Sequence, residues 1–303
     1  MTPLAPRTAL LMTVPPLLWA GNAVVGRMVV GSVPPLTLNF LRWTLAMVLL
    51  LPLGWRALRD PGAITARWKH LLLIGLLGVG SYNSLQYLAL VTTTPINVTL
   101  IAASSPVWML AVGALFHGEH PTRRQIAGAL LSLAGVLLVI ARGDPAALAR
   151  VHFVTGDLYV LVAIVAWAFY SWQLARPPAH MREPQRPDWD WAGFLLLQTL
   201  FGLLGSGAAA IGEAAFTHAS LHWSGWVVAA LVYVAIGPSI IAYRCWGLGV
   251  AQGGPALAAF FGNLTPVFAA LMSAAALGEA PRWYHAVAFA MIVGGIFVSS
   301  RRG

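Results

Sequence analysis

The sequence predicts an all-α polytopic membrane protein of about ten transmembrane helices, arranged as two five-helix repeats of opposite orientation. Three observations lead there. Apolar residues make up 59% of the 303 and charged residues only 9%, with a mean hydropathy of +0.76, so the chain cannot clothe itself in a wettable surface and lipid must solvate most of it. The apolar residues come in runs of about 20, the length a helix needs to cross a hydrocarbon core ~30 Å thick. One offset of 160 residues also lays a long stretch of the chain on itself without a gap.

Charged and turn residues divide the chain into spans at 10–30, 36–53, 71–91, 95–116, 124–141, 156–175, 191–212, 223–243, 253–276 and 282–300. The runs are continuous rather than alternating, which excludes a membrane β-barrel and leaves helices as the backbone solution in lipid. Arg7 before the first run resembles a signal peptide, but Pro15 and Pro16 interrupt that run and no small-residue cleavage site follows, so it is expected to be the first span. The lone Cys245 excludes an internal disulfide and any cysteine-based metal site.

The formal net charge of +9 comes from basic residues scattered among connections, with no Lys/Arg block interleaved with aromatics, so no nucleic-acid partner is expected. Their placement sets orientation instead. With the N-terminus in the cytoplasm, the inner segments hold Arg7, Arg56, Arg59, Arg67, Lys69, Arg123, Arg124, Arg176, Arg182, Arg186, Arg244, Arg301 and Arg302; the outer ones hold only Arg27, Arg142, Arg150 and Arg282. Both termini are therefore expected inside.

At the 160-residue offset Pro95 meets Pro255, Pro106 meets Pro266, Gly118-Glu119 meets Gly278-Glu279, Pro121 meets Pro281, Gly135 meets Gly295 and Arg142-Gly143 meets Arg302-Gly303. Trp19-Ala20 meets Trp167-Ala168 at an offset of 148, which puts about twelve extra residues in the second copy, within the polar 176–190 segment. The third and eighth spans do not align cleanly. The repeats are thus 1–143 and 150–303. Five spans is an odd number, so the second copy must enter the membrane from the opposite side, the architecture of many secondary transporters with a midplane site.

The doubled P-x10-P helix, followed by G-E-x-P and a helix ending G-x6-R-G, resembles the EamA-type branch of the drug/metabolite transporter superfamily over nearly the whole chain. The amino-acid exporters of that branch, aromatic amino-acid exporters included, are its best match in character. The resemblance implies a ten-helix carrier of the cell inner membrane that exports amino acids or other small metabolites; a monomer and no cofactor are the separate expectations. A sugar-phosphate or nucleotide-sugar carrier of the same superfamily is the alternative it leaves.

Residues at mid-span depth are the candidates for binding. Pro106 and Pro266 each remove a helical hydrogen bond near the bilayer midplane, freeing the carbonyls of Ala102 and Gly262, and are expected to act as hinges. Trp19, Trp108 and Trp167 sit near span centres, where an indole N–H has no lipid partner. Asn22 follows Trp19 by three residues, Tyr82, Asn83, Gln86 and Tyr87 share a face of the third span, Asn97 and Ser104 share one with Trp108, and Tyr170 follows Trp167 by three. The expectation is an aromatic, uncharged pocket for a small neutral or zwitterionic substrate, formed by Trp19, Asn22, Tyr82, Gln86, Asn97, Trp108, Trp167 and Tyr170. Interhelical hydrogen bonding would explain any one of these residues alone.

Other residues are expected to be structural. Trp55, Trp68, Trp189, Trp191, Trp223, Trp226, Trp246 and Trp283 read as headgroup anchors at span ends. Glu119 and Glu279 read as turn residues beside a Thr122–Gln125 capping box, and the eight histidines as surface groups without metal-ligand spacing. Gly128, Gly135, Gly202, Gly205 and Gly207 offer surfaces for close helix packing. No Asp or Glu is expected near a span centre, so a carboxylate proton relay is not. Arg42 lies about a turn into the second span, where packing is the default and holding a substrate carboxylate the sharper reading. A membrane-embedded enzyme would need a nucleophile with its base or clustered metal ligands, and neither pattern occurs.

Overall fold

The computed structural model describes the backbone of residues 5–29, 31–89, 92–93, 95–217, 220–277 and 282–300. His218, Gly278, Glu279, Pro281, Arg301, Arg302 and Gly303 lie outside the described residues, as do the side chains of Arg27 and Pro95. Among the described residues there is no strand, and ten helices are long and apolar enough to cross a membrane. They are α1 (Pro6–Gly26), α2 (Pro35–Arg59), α3 (Trp68–Ala89), α4 (Asn97–His117), α5 (Arg123–Ile140), α6 (Thr155–Ala175), α7 (Trp191–Phe216), α8 (Gly225–Gly253), α9 (Pro255–Met272) and α10 (Trp283–Ser300). Leu10, Leu115, Phe116, Leu130, Leu204, Ile211 and Phe297 stand outward on these helices, as lipid-facing residues must.

Local chemistry sets the ends. Thr122 and Gln125 form the expected capping box at the start of α5. Asp190 caps α7 through the Gly193 N–H, and Ser224 caps α8 through that of Val227. Glu213, in the last turn of α7, accepts from the Leu36 and Thr37 N–H groups and the Thr37 hydroxyl, so one helix satisfies the orphan donors opening another.

Both prolines expected at mid-span interrupt their helices. Residues 103–104 form a turn that splits α4 before Ser105–His117, and residues 263–264 split α9 before Thr265–Leu277. The two breaks touch: the Asn263 amide donates to the Ala103 carbonyl, 3.4 Å away, and to the Ser132 hydroxyl at 2.9 Å. Two further irregularities were not expected. α3 and α8 each contain a π-helical stretch, Leu76–Ser81 and Ala235–Ile241.

Close packing rests on glycine. A Cβ on Gly128 would come within 2.6 Å of the Gly295 carbonyl oxygen, and one on Gly295 equally near that of Gly128, so α5 and α10 meet backbone to backbone. Gly202 packs likewise on Val79 of α3, and Gly207 faces Phe40 of α2. These expected small-residue faces therefore serve contacts within the chain.

Several assignments need correcting. α8 runs on to Gly253 rather than stopping at Arg244, because that guanidinium lies over the Trp191 ring, 5.0 Å from its centroid, and need not leave the helix. Trp246 is consequently no headgroup anchor but is buried, 3% exposed, and Trp189 is buried too. His70 is buried in the first turn of α3 against the His180 ring, and His117 stacks on Trp172, so neither is a free surface histidine. Glu119 pairs with Arg176 at the end of α6 instead of serving its own turn. Asp157 lies inside α6, in its first turn, and is buried.

Candidate substrate-binding site

Trp167 of α6 is the hub of the molecule's centre. Its ring is 4% exposed and five aromatic rings surround it: Trp19 of α1 at 5.4 Å, Tyr82 of α3 at 5.0 Å, Tyr170 at 5.0 Å, and Tyr243 and Trp246 of α8 at 5.4 and 5.2 Å. All arrangements are edge-on or tilted, the favoured geometry for aromatic quadrupoles. Trp19 and Trp167 lie about 20 and 18 Å along their helices at 1.5 Å per residue, near the bilayer midplane.

The polar tips of the five rings around Trp167 are held. The Trp19 indole donates to the Pro238 carbonyl at 3.2 Å and the Tyr243 hydroxyl to that of Gly78, both within the π-helical stretches. Tyr170 donates to Gln198 at 2.9 Å, Gln86 to the Tyr82 hydroxyl at 3.1 Å, and Trp246 to Ser171 at 3.1 Å. A π-helical turn displaces carbonyls from the regular ladder, and in lipid each must find a donor. Aromatic side chains supply two of those donors.

A buried polar group adjoins the rings. Arg42 of α2 is 1% exposed. Its Nε donates to Ser239 at 3.0 Å, and Nη1 reaches Asn22 at 3.5 Å and Asn83 at 3.4 Å. Its guanidinium also lies 5.4 Å from the ring centroid of Trp43, whose ring is 4.9 Å from that of Tyr243. The centre is thus half aromatic and half polar, with Tyr243 touching both.

The eight residues expected to bind substrate divide accordingly. Trp19, Tyr82, Trp167 and Tyr170 meet in the cluster, with Gln86 on its edge, and Asn22 meets Arg42. Trp108 donates to Ser104 at 3.1 Å and packs with Tyr82 against Ala89, Val160 and Ile164. Asn97 sits apart: it donates to Asp157 at 2.8 Å and to the His152 carbonyl at 2.9 Å, in a buried knot that also takes in Thr93. Tyr243 and Trp246 were missed, although their spacing of three repeats that of Trp167 and Tyr170. An open cleft of about 880 Å³ lies on the face where α1 begins, floored by Leu110, Trp172 and Phe260; none of the eight lines it. Among the described residues no cluster of His, Cys, Asp or Glu could hold a metal ion.

Ten apolar helices gathered around an aromatic centre with a buried Arg42 beside it make this a multi-pass membrane protein built as a transporter is. The model of the EamA-like transporter family matches residues 6–141 and again 154–301, and the chain belongs to that family. It is 30% identical over 295 residues to the aromatic amino acid exporter YddG of Ancylobacter novellus, covering 94% of this chain and 93% of that one. It is 26% identical to an uncharacterized transporter of Archaeoglobus fulgidus, over 98% of both chains, and 26% identical to a probable terminal-alkyne amino-acid exporter of Streptantibioticus cattleyicolor, over 97% and 93%. A solved crystal structure superposes with a TM-score of 0.75 at 26% identity, covering 96% of each chain.

Proposed function

We propose that the protein is a secondary carrier of the inner membrane that exports amino acids, aromatic and hydrophobic ones foremost, by alternating access around the Trp167 cluster. The observation that carries this reading is the cluster itself. Six rings from four helices meet at mid-membrane depth with no acidic side chain among them, a surface that suits a flat apolar side chain on a zwitterion. The family supports transport, and the names of two relatives support amino acids as the class.

In this reading residues 1–143 and 150–303 are inverted halves, with both termini cytoplasmic and the 880 Å³ cleft the inward mouth. Contacts between equivalent positions favour it. Trp19 touches Trp167, and Ala103 touches Asn263, each pair joining residues matched between the repeats. The Gly128–Gly295 contact likewise becomes Gly135–Ala288 when the halves are exchanged, and both are close. Such self-matching contacts are those of an isologous two-fold interface. Rocking about it, with α4 and α9 bending at Pro106 and Pro266, would expose the rings to each side in turn.

Reconstitution tests the proposal. Proteoliposomes loaded with unlabelled phenylalanine should take up labelled phenylalanine by saturable counterflow, and excess tryptophan or leucine should compete. Uptake that neither saturates nor responds to internal substrate would indicate a channel, and no uptake of any amino acid would overturn the substrate class.

A further inference from the structure

Arg42 poses a question that packing does not answer. A guanidinium removed from water costs several kcal/mol unless a counter-charge and full hydrogen bonding compensate it. Its Nε has Ser239, Nη1 has two amide oxygens at the long limit of hydrogen bonding, and Nη2 has no acceptor among the described residues. Nor is any described carboxylate in reach. Asp60, Asp144 and Asp190 cap helices, Glu119 pairs with Arg176, Asp157 is held by Thr93 and Asn97, and Glu213 caps α2.

One turn earlier on the same face of α2, Asn39 is fully buried. Its amide nitrogen donates to Ser84 at 3.0 Å, while its Oδ1 is left without any donor. A buried amide oxygen in that state is destabilising. One turn of helix therefore holds an unmet acceptor and an under-met cation, the cation lying against the aromatic centre through Trp43 and Tyr243. Their chemistry is the complement of a zwitterion.

We propose that α2 carries the headgroup receptor of the carrier: Arg42 binds the α-carboxylate of the substrate and the Asn39 Oδ1 accepts from its ammonium, while the Trp167 cluster takes the side chain. The inference rests on the amino-acid reading above and narrows it to molecules bearing both groups. A planar guanidinium presents paired N–H donors that match a carboxylate, which a lysine ammonium does not. The bound carboxylate offsets the charge of Arg42, and the Asn39 Oδ1 gives the ammonium a neutral acceptor beside it. Decarboxylated amines would add a second cation beside Arg42 and should be rejected.

Two measurements test this. In counterflow, Arg42→Gln and Arg42→Lys are expected to raise the KM for phenylalanine roughly 10- to 100-fold, the worth of a charge-assisted hydrogen-bond pair, with Lys retaining part of the loss. Asn39→Leu should weaken phenylalanine by a smaller factor. The second uses wild-type protein in detergent, so that it stands even if the Arg42 variants do not fold. Phenylalanine should raise the unfolding temperature, while phenylalaninamide and 2-phenylethylamine, each lacking the carboxylate, should not. Equal protection by the amide, or an unchanged KM in folded Arg42→Gln, would overturn the receptor while leaving amino-acid transport intact. Wild-type protein that neither transports nor is stabilised by any amino acid would overturn both.

Discussion

Replacing Trp167 by alanine removes the hub of the central cluster, and the structure sets the size of the effect. The ring makes five aromatic contacts at centroid distances between 5.0 and 5.4 Å. At ~0.5–1.5 kcal/mol per aromatic pair it takes part in roughly 2.5–7.5 kcal/mol of ring contact. Truncations of tryptophan in packed interiors cost about 3–5 kcal/mol. Lipid tails are as apolar as the cluster, so burial adds little and the lower end, about 3 kcal/mol, is expected. Trp167→Phe keeps a ring in the same place and should lose about 1 kcal/mol. Transport should suffer more sharply than folding: counterflow per inserted molecule is expected to fall at least 10-fold in Trp167→Ala, or ~1.4 kcal/mol in the transition state. The control is Trp226→Ala, at the start of α8, where the ring is 50% exposed and the change should stay within about 0.5 kcal/mol. Initial counterflow rates, divided by inserted protein from fluorescence-detected size exclusion, make the comparison. Equal losses in the two variants would refute a central role for the rings.

The remaining predictions concern the frame around that centre. Gly128→Ala puts a Cβ within 2.6 Å of the Gly295 carbonyl oxygen and should cost about 1–3 kcal/mol in detergent unfolding, whereas Gly26→Ala, with open space around it, should be neutral or slightly stabilising. Asp157→Ala strips the acceptor from Thr93, Asn97 and the Val154 N–H, a loss of about 3 kcal/mol or more by the same assay, with transport per folded molecule kept. Cysteines placed at Gly118 and Gly278 should react with an impermeant maleimide from opposite sides of the membrane; labelling from one side would dismantle the inverted halves.

Most of the fold was legible because lipid imposes one rule on every residue, and long apolar runs obey it whatever their neighbours are. The end of α8 escaped that rule. Arg244 looks like a break in sequence, but Trp191 of α7 offers its ring to the guanidinium, and no sequence pattern announces a partner on another helix. That error concealed Trp246, which read as an anchor. The π-helical stretches stayed hidden for a related reason, since one extra residue per turn leaves the hydropathy of a span unchanged. Their glycines, Gly78 and Gly80 in one and Gly237 beside Pro238 in the other, were the available signal. Asn97 illustrates the opposite limit: polarity at span depth is visible in sequence, but whether it faces substrate or Asp157 depends on the fold.

The displaced carbonyls and the ring cluster are one construction. Gly78 and Pro238 stand 160 residues apart, the spacing of the repeated motifs, and each carbonyl is met by an aromatic donor, Tyr243 for one and Trp19 for the other. A ring at position 19 or 243 therefore does two things: it stacks near the midplane, and it satisfies a backbone group that lipid cannot. Phenylalanine could do the first and not the second, leaving a carbonyl unpaired at a cost of about 1–3 kcal/mol. The identity of these side chains is fixed by the helices they lean on as much as by any ligand. Motion of α3 or α8 at its π-helical turn must then be felt by the rings around Trp167.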